Sequence, residues 1–230
     1  MTNGERNVGR ELEDYLKELY SCRECSLPGD EAPAPPAGRI GSGTRLDVLL
    51  VGWNPQVKGY RPDGTPPYER WRDEAAAEIE RETNRPGPFS NLVGRLLPKG
   101  LTLRDRVANT RVWKVPTKSK KSSDFGRAML CAKKHLLREL EILRPRLILT
   151  YDKHAADFFV HQATARGVSV LTESQWPSVI GWSTPHRAWG WPLALLAVTG
   201  KRDKTHAEVA FICDKGAELL AECKRLEREP

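Results

Sequence analysis

An asparagine that directly follows an apolar run is the residue of this sequence best placed to do chemistry. Residues 47–53 form a run typical of a buried strand, with Gly52 near its end and Asn54 just after it. Gly52 lets the backbone turn sharply, and Pro55 fixes φ immediately after Asn54, so the amide is aimed in one direction. Open α/β sheets bind ligands outside the carboxyl ends of their strands, where this pattern puts Asn54. The alternative is an Asx-type turn that only closes the strand.

Two cysteines in a CxxC arrangement, Cys22 and Cys25, are candidate metal ligands. Zinc sites of this type normally show a second close pair of Cys or His, which this sequence lacks, so zinc, an iron–sulfur cluster and no metal all stay open. The chain has five cysteines, and an odd number argues against a disulfide scaffold. Cys213 and Cys223 lie on the predicted C-terminal helix, where we expect them to pack as small hydrophobic residues.

A basic, serine-rich segment, residues 116–123, follows a predicted strand at the end of the sheet where Asn54 is expected. Its lysines are Lys118, Lys120 and Lys121. Phosphate contact and simple solvation of a surface loop both agree with this composition.

Four tryptophans and one histidine lie between the last two predicted strands. Tryptophans in such a segment either fill the core or act as stacking platforms, and the core is the commoner role. A lone histidine there is more often hydrogen-bonded structure than catalyst. The residues are Trp176, Trp182, His186, Trp189 and Trp191.

The periodicity of apolar residues predicts the elements that position these side chains. Helical spacing predicts helices over residues 11–20, 69–82, 89–97, 129–143, 153–161 and 206–226. Apolar runs and alternation predict strands over residues 47–53, 106–115, 146–151, 168–171 and 192–199. Because strands and helices alternate, we expect a three-layer α/β/α sandwich around a central, mainly parallel sheet of four to five strands.

Length and charge narrow the class of protein. At 230 residues the chain suits one domain, residues 1–230, that needs neither disulfides nor metal for stability. Lys and Arg number 37 against 30 Asp and Glu, and the formal net charge of +7 favours a polyanionic partner. No stretch resembles a signal peptide or is apolar enough to span a bilayer, so we expect a cytoplasmic protein, a monomer without membrane contacts.

The order of these motifs resembles that of the uracil-DNA glycosylase superfamily over most of the chain. In its iron–sulfur branch an N-terminal helix leads to a CxxC pair, a loop and a strand that ends in a GEAPG-like motif. Residues 52–56, Gly-Trp-Asn-Pro-Gln, stand at that place and are more similar to the GINPG of mismatch-specific and thymine-DNA glycosylases. The family's later Asn-x-x-Lys segment is echoed by Asn109 to Lys114, and its Leu-Arg-Pro strand by residues 143–145.

The resemblance implies a role for each matching residue. Asn54 would position the attacking water, because an amide can accept from water and also donate, although it is a poor general base. The flipped base would stack on an aromatic ring, for which Tyr68 and Phe89 are rivals. Asn109 would read the base edge. The implied base-binding residues are Gly52, Trp53, Gln56, Tyr68, Phe89 and Asn109.

The resemblance also implies contacts to DNA phosphates. Residues 199–201, Thr-Gly-Lys, occupy the slot of the family's HPS-like motif, which inserts into DNA. Contacts to phosphate position the duplex without reading its sequence. The implied DNA-binding residues are Lys118, Lys120, Lys121, Lys201 and Arg202.

The cofactor implied by the iron–sulfur branch is a 4Fe–4S cluster on four cysteines. Three cysteines match the pattern, Cys22, Cys25 and Cys131, whereas Val115 stands where another cysteine is expected. The match to the cluster is therefore incomplete. Hydrolysis of the glycosidic bond itself needs no cofactor.

The implied activity is that of a monofunctional DNA glycosylase that removes a flipped uracil or modified pyrimidine and leaves an abasic site. Gln56 in place of the family glycine and the rewritten HPS slot favour a pocket reshaped for a modified pyrimidine, such as a bulky modified cytosine of phage DNA. Base-excision repair and antiphage defence both stay open. The alternatives are a catalytically silent nucleic-acid-binding module of the same fold, and an enzyme acting on free nucleotides or nucleosides.

Overall fold

Four largely buried strands form the parallel centre of a six-stranded sheet in the computed structural model of this chain. The structure describes residues 8–22, 24, 37–38, 45–53, 67–73, 88–103, 106–114, 125–172, 175–199 and 204–229. The strands are β1 (Ala37–Gly38), β2 (Val48–Gly52), β3 (Val107–Arg111), β4 (Leu147–Thr150), β5 (Val179–Trp182) and β6 (Ala194–Val198). Their order across the sheet is β1-β3-β2-β4-β6-β5, and only the two edge strands, β1 and β5, run antiparallel to their neighbours.

Helices cover both faces of the sheet, which confirms the predicted three-layer α/β/α sandwich. The helices are α1 (Val8–Ser21), α2 (Pro88–Leu96), α3 (Phe125–Cys131), α4 (Leu137–Leu143), α5 (Lys153–Ala165) and α6 (His206–Leu226). A π-helical turn, Ala132–Leu136, joins α3 to α4. Apolar side chains of α1, α3, α4 and α5 pack on one face, which we call face 1. Those of α2 and α6 pack on the opposite face, face 2.

The strand order reverses at β2. Among the parallel strands β2 comes first in the chain, β3 lies on one side of it, and β4 lies on the other side. Ligands of such sheets bind in the crevice at the carboxyl ends of the strands, at the point of reversal. Gly52 ends β2 at this point, with the end of β3 and the end of β4 on either side.

Two details of the predicted strand list are wrong. Residues 168–171 form no strand, since only Leu171 makes a bridge, to Trp182. The edge position is taken by β5, which lies in the tryptophan-rich segment that we expected to be a connection. Apart from the two-residue β1, the sheet has five strands, in agreement with the predicted four to five. Of the predicted helix over residues 69–82, the described part, residues 69–73, is helical, and the helix begins one residue earlier, at 68.

The predictions about the core agree with the structure for Cys223 and Trp191, whereas Cys213 and the tryptophans at 176, 182 and 189 are only half-buried. Cys223 is fully buried, and its thiol donates to the Arg146 carbonyl oxygen at 3.1 Å. Trp191 is buried and donates from Nε1 to the Pro145 carbonyl oxygen at 2.9 Å. His186 has a structural role, because its Nδ1 accepts from the Ala188 backbone N–H at 3.2 Å. Among the described residues, no helix is long and apolar enough to cross a membrane.

Candidate functional site

Three polar side chains and one glycine lie together at the carboxyl ends of β3, β2 and β4. In the parallel register Leu50 lies beside Asn109 and Gly52 beside Arg111. Successive side chains of a strand point to opposite faces, so Asn109 and Arg111 share face 2 with the Gly52 position. Tyr151 follows β4 and is tied to β2, since its N–H donates to the Val51 carbonyl oxygen at 3.2 Å. We call this group, Gly52, Asn109, Arg111 and Tyr151, the β2-end cluster.

The Asn109 amide oxygen is the centre of the β2-end cluster. Arg111 Nη1 donates to Asn109 Oδ1 at 2.5 Å, and the Tyr151 hydroxyl donates to the same oxygen at 3.2 Å. Arg111 Nη1 also donates to the Tyr151 hydroxyl and, at 3.1 Å, to the Thr110 carbonyl oxygen. Asn109 is only 7% exposed, and Arg111 and Tyr151 are half-buried. The three side chains therefore form one hydrogen-bonded unit at the border of solvent.

Gly52 is required by the position of Tyr151. A Cβ atom built on Gly52 would overlap the hydroxyl and ring of Tyr151. The absence of a side chain at Gly52 thus lets the phenol lie across the end of β2, within reach of Asn109 and Arg111.

The electrostatics of the β2-end cluster favour hydrogen-bond donation. Burial raises the pKa of Tyr151 to about 12, although the nearby Arg111 charge acts in the opposite direction. The phenol is therefore protonated at neutral pH. The Arg111 guanidinium also lies over the Tyr151 ring, 5.4 Å from its centroid. A ligand that approaches this edge meets a cation and amide N–H groups, which suits an acceptor-rich or anionic group.

Trp53, predicted to bind the base, points to face 1 and away from Asn109. Its side chain is buried and packs between two other rings. The Phe125 ring is stacked on it with 5.7 Å between centroids, and the His154 ring lies 4.8 Å away. Phe125, at 47% exposure, is the solvent-facing member of this group.

Tyr68 is also separated from Asn109. Its hydroxyl donates to Glu13 Oε1 of α1 at 2.9 Å, and its ring meets Tyr20 edge-on at 5.6 Å. Burial and the Glu13 carboxylate raise the pKa of Tyr68 to about 12. Of its rival, Phe89, the structure describes only the backbone, which lies in α2.

Several predicted site residues lie outside the described part of the chain. Their roles stay predictions. They are Asn54, Gln56, Lys118, Lys120, Lys121, Lys201, Arg202 and Cys25, together with Val115. Of the predicted site residues that are described, the structure brings together Gly52 and Asn109.

The predicted metal ligands are only partly described. Cys22 is half-buried just after α1, and Cys131 is buried at the end of α3, where its Sγ accepts from the Lys114 N–H at 3.4 Å. Within the described ranges, no group of three or more His, Cys, Asp or Glu could hold a metal ion. A site that includes Cys25 stays a prediction.

Lys114, the last residue of the segment Asn109 to Lys114 that resembles the family's Asn-x-x-Lys motif, belongs to a buried network on face 1. Its Nζ donates to Glu139 Oε2 of α4 at 2.6 Å and also contacts the Thr110 hydroxyl. Thr110 Oγ1 donates to Glu139 Oε2 at 2.6 Å, and the Tyr15 hydroxyl of α1 donates to Glu139 Oε1 at 2.7 Å. Burial lowers the pKa of Lys114, while Glu139 opposes this shift. Through Glu139 this network joins α1, β3 and α4, on the face opposite to Asn109.

Sequence reasoning missed Arg111 and Tyr151. The alternation along β3 places Arg111 on the same face as Asn109, and this signal was present in the sequence. Nothing local distinguishes Tyr151, because its role depends on the pairing of β4 with β2.

Comparison with known proteins adds no assignment. No protein-family model matches the chain, and no curated protein matches it significantly. The motifs of the sequence and the geometry of the β2-end cluster are therefore the features that indicate a function.

Proposed function

We propose that this chain is a DNA glycosylase that hydrolyses the N-glycosidic bond of a flipped uracil or modified pyrimidine. The observation that carries the proposal is the position of Asn109. A nearly buried amide lies at the reversal point of the sheet, with its oxygen held by Arg111 and Tyr151. The motif order that resembles the uracil-DNA glycosylase superfamily supports the same activity, and the net charge of +7 suits a DNA partner.

The chemistry follows from the donors of the β2-end cluster. A base must leave the stack before an enzyme can act on its glycosidic bond. When the bond between C1′ and the base breaks, its electron pair goes to the base, and water supplies the oxygen that binds C1′ and the proton that the base finally takes up. The Asn109 N–H and the nearby Arg111 charge would stabilise the base as it becomes negative. Asn54 would orient the water.

The substrate that we propose is a pyrimidine with a carbonyl oxygen directed at Asn109. Uracil meets this requirement, and so does a modified cytosine through its ring carbonyl. The replacement of the family glycine by Gln56 favours a modified base, including the bulky cytosine derivatives of phage DNA.

The test is alkali-revealed strand cleavage of DNA that carries candidate bases. End-labelled oligonucleotides would contain uracil, mismatched thymine, hydroxymethylated cytosine or glucosylated cytosine, and phage genomic DNAs would be assayed alongside. We expect cleavage of at least one substrate, lost in Asn54→Ala and lowered by about 10²- to 10³-fold in kcat in Asn109→Ala, because one transition-state donor is removed. Asn91→Ala is the matched control, since Asn91 is exposed on α2 and the variant should cleave normally.

A catalytically silent nucleic-acid-binding module is the second candidate. It is favoured by the described members of the β2-end cluster, which include an amide, a guanidinium and a protonated phenol but no general base. Cleavage of no substrate, with tight and salt-sensitive DNA binding retained in Asn54→Ala, would support this module against the glycosylase.

A further inference from the structure

Arg111 controls which hydrogen bonds Asn109 can make. A guanidinium only donates, so the atom of Asn109 that lies 2.5 Å from Arg111 Nη1 must be the amide oxygen. This contact fixes the orientation of the amide. The Tyr151 hydroxyl donates to the same oxygen at 3.2 Å. A carbonyl oxygen has two lone pairs, and Arg111 and Tyr151 occupy both.

The nitrogen of Asn109 is consequently the group left to meet a ligand. No described residue accepts a hydrogen bond from Asn109 Nδ2. With the oxygen engaged, Asn109 offers donors and no acceptor. A cation bound to an amide oxygen draws electron density toward that oxygen, which makes the amide N–H groups stronger donors.

We propose that Arg111 is a positioning residue that locks Asn109 with its N–H groups outward and strengthens their donation to the leaving base. The inference rests on the proposed function, since it assigns Arg111 a role in the same reaction. The effect should grow as negative charge develops on the base, because a charge-assisted donor gains most when its acceptor becomes an anion. Arg111 therefore acts on turnover more than on substrate binding.

The kinetic test uses Arg111→Met, which keeps the length of the side chain without its donors, and Arg111→Lys, which keeps the charge. On the substrate that the wild type cleaves, we expect Arg111→Met to lower kcat by roughly 10- to 100-fold with little change in KM. Arg111→Lys should recover part of this loss. Thermal unfolding and circular dichroism establish that each variant is folded.

A double-mutant cycle tests whether Arg111 acts through Asn109. In the Asn109→Ala background, Arg111→Met should have no further effect on kcat, because the group that Arg111 positions is gone. Additive losses, or a rise in KM with unchanged kcat, would overturn the inference and indicate that Arg111 contacts DNA independently.

A measurement on the free protein separates this inference from the proposed function. The side-chain amide signal of Asn109, assigned by its loss in Asn109→Ala, should have an NMR order parameter near that of rigid backbone, about 0.85, and fall below about 0.6 in Arg111→Met. The exposed Asn91 amide provides a reference for free motion. Failure of the wild type to cleave any substrate would reject the glycosylase proposal and, with it, any role of Arg111 in turnover. An Asn109 amide equally rigid in wild type and Arg111→Met would overturn the lock itself.

Discussion

At the scale of single residues, burial decides the charge of His135. The imidazole lies in the π-helical turn, is only 1% exposed, and neither ring nitrogen has a hydrogen-bond partner among the described residues. Burial lowers the pKa of His135 to about 4, and the charges of Lys114 and Lys134 act in the same direction, against Glu18 and Glu24. The ring is therefore neutral in the folded protein at neutral pH.

His135 predicts a loss of stability in mild acid. Because its folded pKa lies below the unfolded value, its contribution is complete above about pH 6.5 and is lost as the pH falls toward 4. In His135→Leu the free energy of unfolding should fall less steeply across this range, by up to about 1.4 kcal/mol per pH unit. Urea denaturation at several pH values measures the slope.

A second buried histidine, His186, and an exposed one, His161, serve as comparisons for His135. Burial also lowers the pKa of His186 to about 4, so His186→Leu should flatten the same range. His161 is exposed on α5, and His161→Gln should leave the slope unchanged. Equal slopes in wild type and His135→Leu would show that His135 does not govern acid stability.

At the scale of elements, one buried carboxylate joins a helix pair to the sheet. Glu139 is fully buried on α4 and accepts hydrogen bonds from Tyr15 of α1 and from Thr110 and Lys114 at the end of β3. Removal of one partner of a buried ion pair leaves an uncompensated charge. We therefore expect Glu139→Ala to lower the free energy of unfolding by about 3–5 kcal/mol in urea denaturation.

An apolar replacement of both partners is the control for Glu139. Buried ion pairs can often be exchanged for well-packed apolar side chains with little loss, so Lys114→Met with Glu139→Leu should recover most of the stability. If the double variant is as unstable as Glu139→Ala, lost packing rather than the unpaired Lys114 charge causes the effect.

At the scale of the whole molecule, Asp47 connects the amino-terminal ends of the parallel strands to the C-terminal helix. Its carboxylate, 3% exposed, accepts from Arg146 at 2.7 Å and lies 3.2 Å from Arg106 and 3.3 Å from Lys224 of α6. Arg146 also pairs with Glu227 at 2.6 Å, just after α6. These contacts hold β2, β4 and α6 together at the amino-terminal ends of the strands, opposite to the β2-end cluster.

Asp47→Ala should destabilise the fold as a unit. Its loss removes one carboxylate partner of the largely buried Arg146. We expect the free energy of unfolding to fall by about 3 kcal/mol, with one cooperative unfolding transition. Glu222→Gln is the comparison, because Glu222 pairs with Arg225 on the exposed side of α6, where solvent screens the pair and its loss should change the stability little. Similar effects of the two variants in thermal unfolding would contradict a special role for Asp47.

The periodicity of the sequence determined most of the elements. The helix predicted over residues 206–226 has those bounds in α6, and the strands predicted around β2, β3, β4 and β6 all form. Local signals sufficed there because helical spacing and long apolar runs report burial directly. They failed at β5, where only four residues alternate at a sheet edge, and over residues 168–171, where the edge position was already taken.

The candidate site depended on both levels. The sequence by itself selected Asn109 and Gly52, since a motif order and a strand end can be recognised along the chain. Only the tertiary structure identified Arg111 and Tyr151 as members of the site. It also showed that Trp53, Tyr68 and Lys114 lie on face 1, opposite to Asn109. The physical reason is that hydrogen bonds between strands depend on the order in which those strands pair, and residues such as 109 and 151 become neighbours only when β3, β2 and β4 lie side by side.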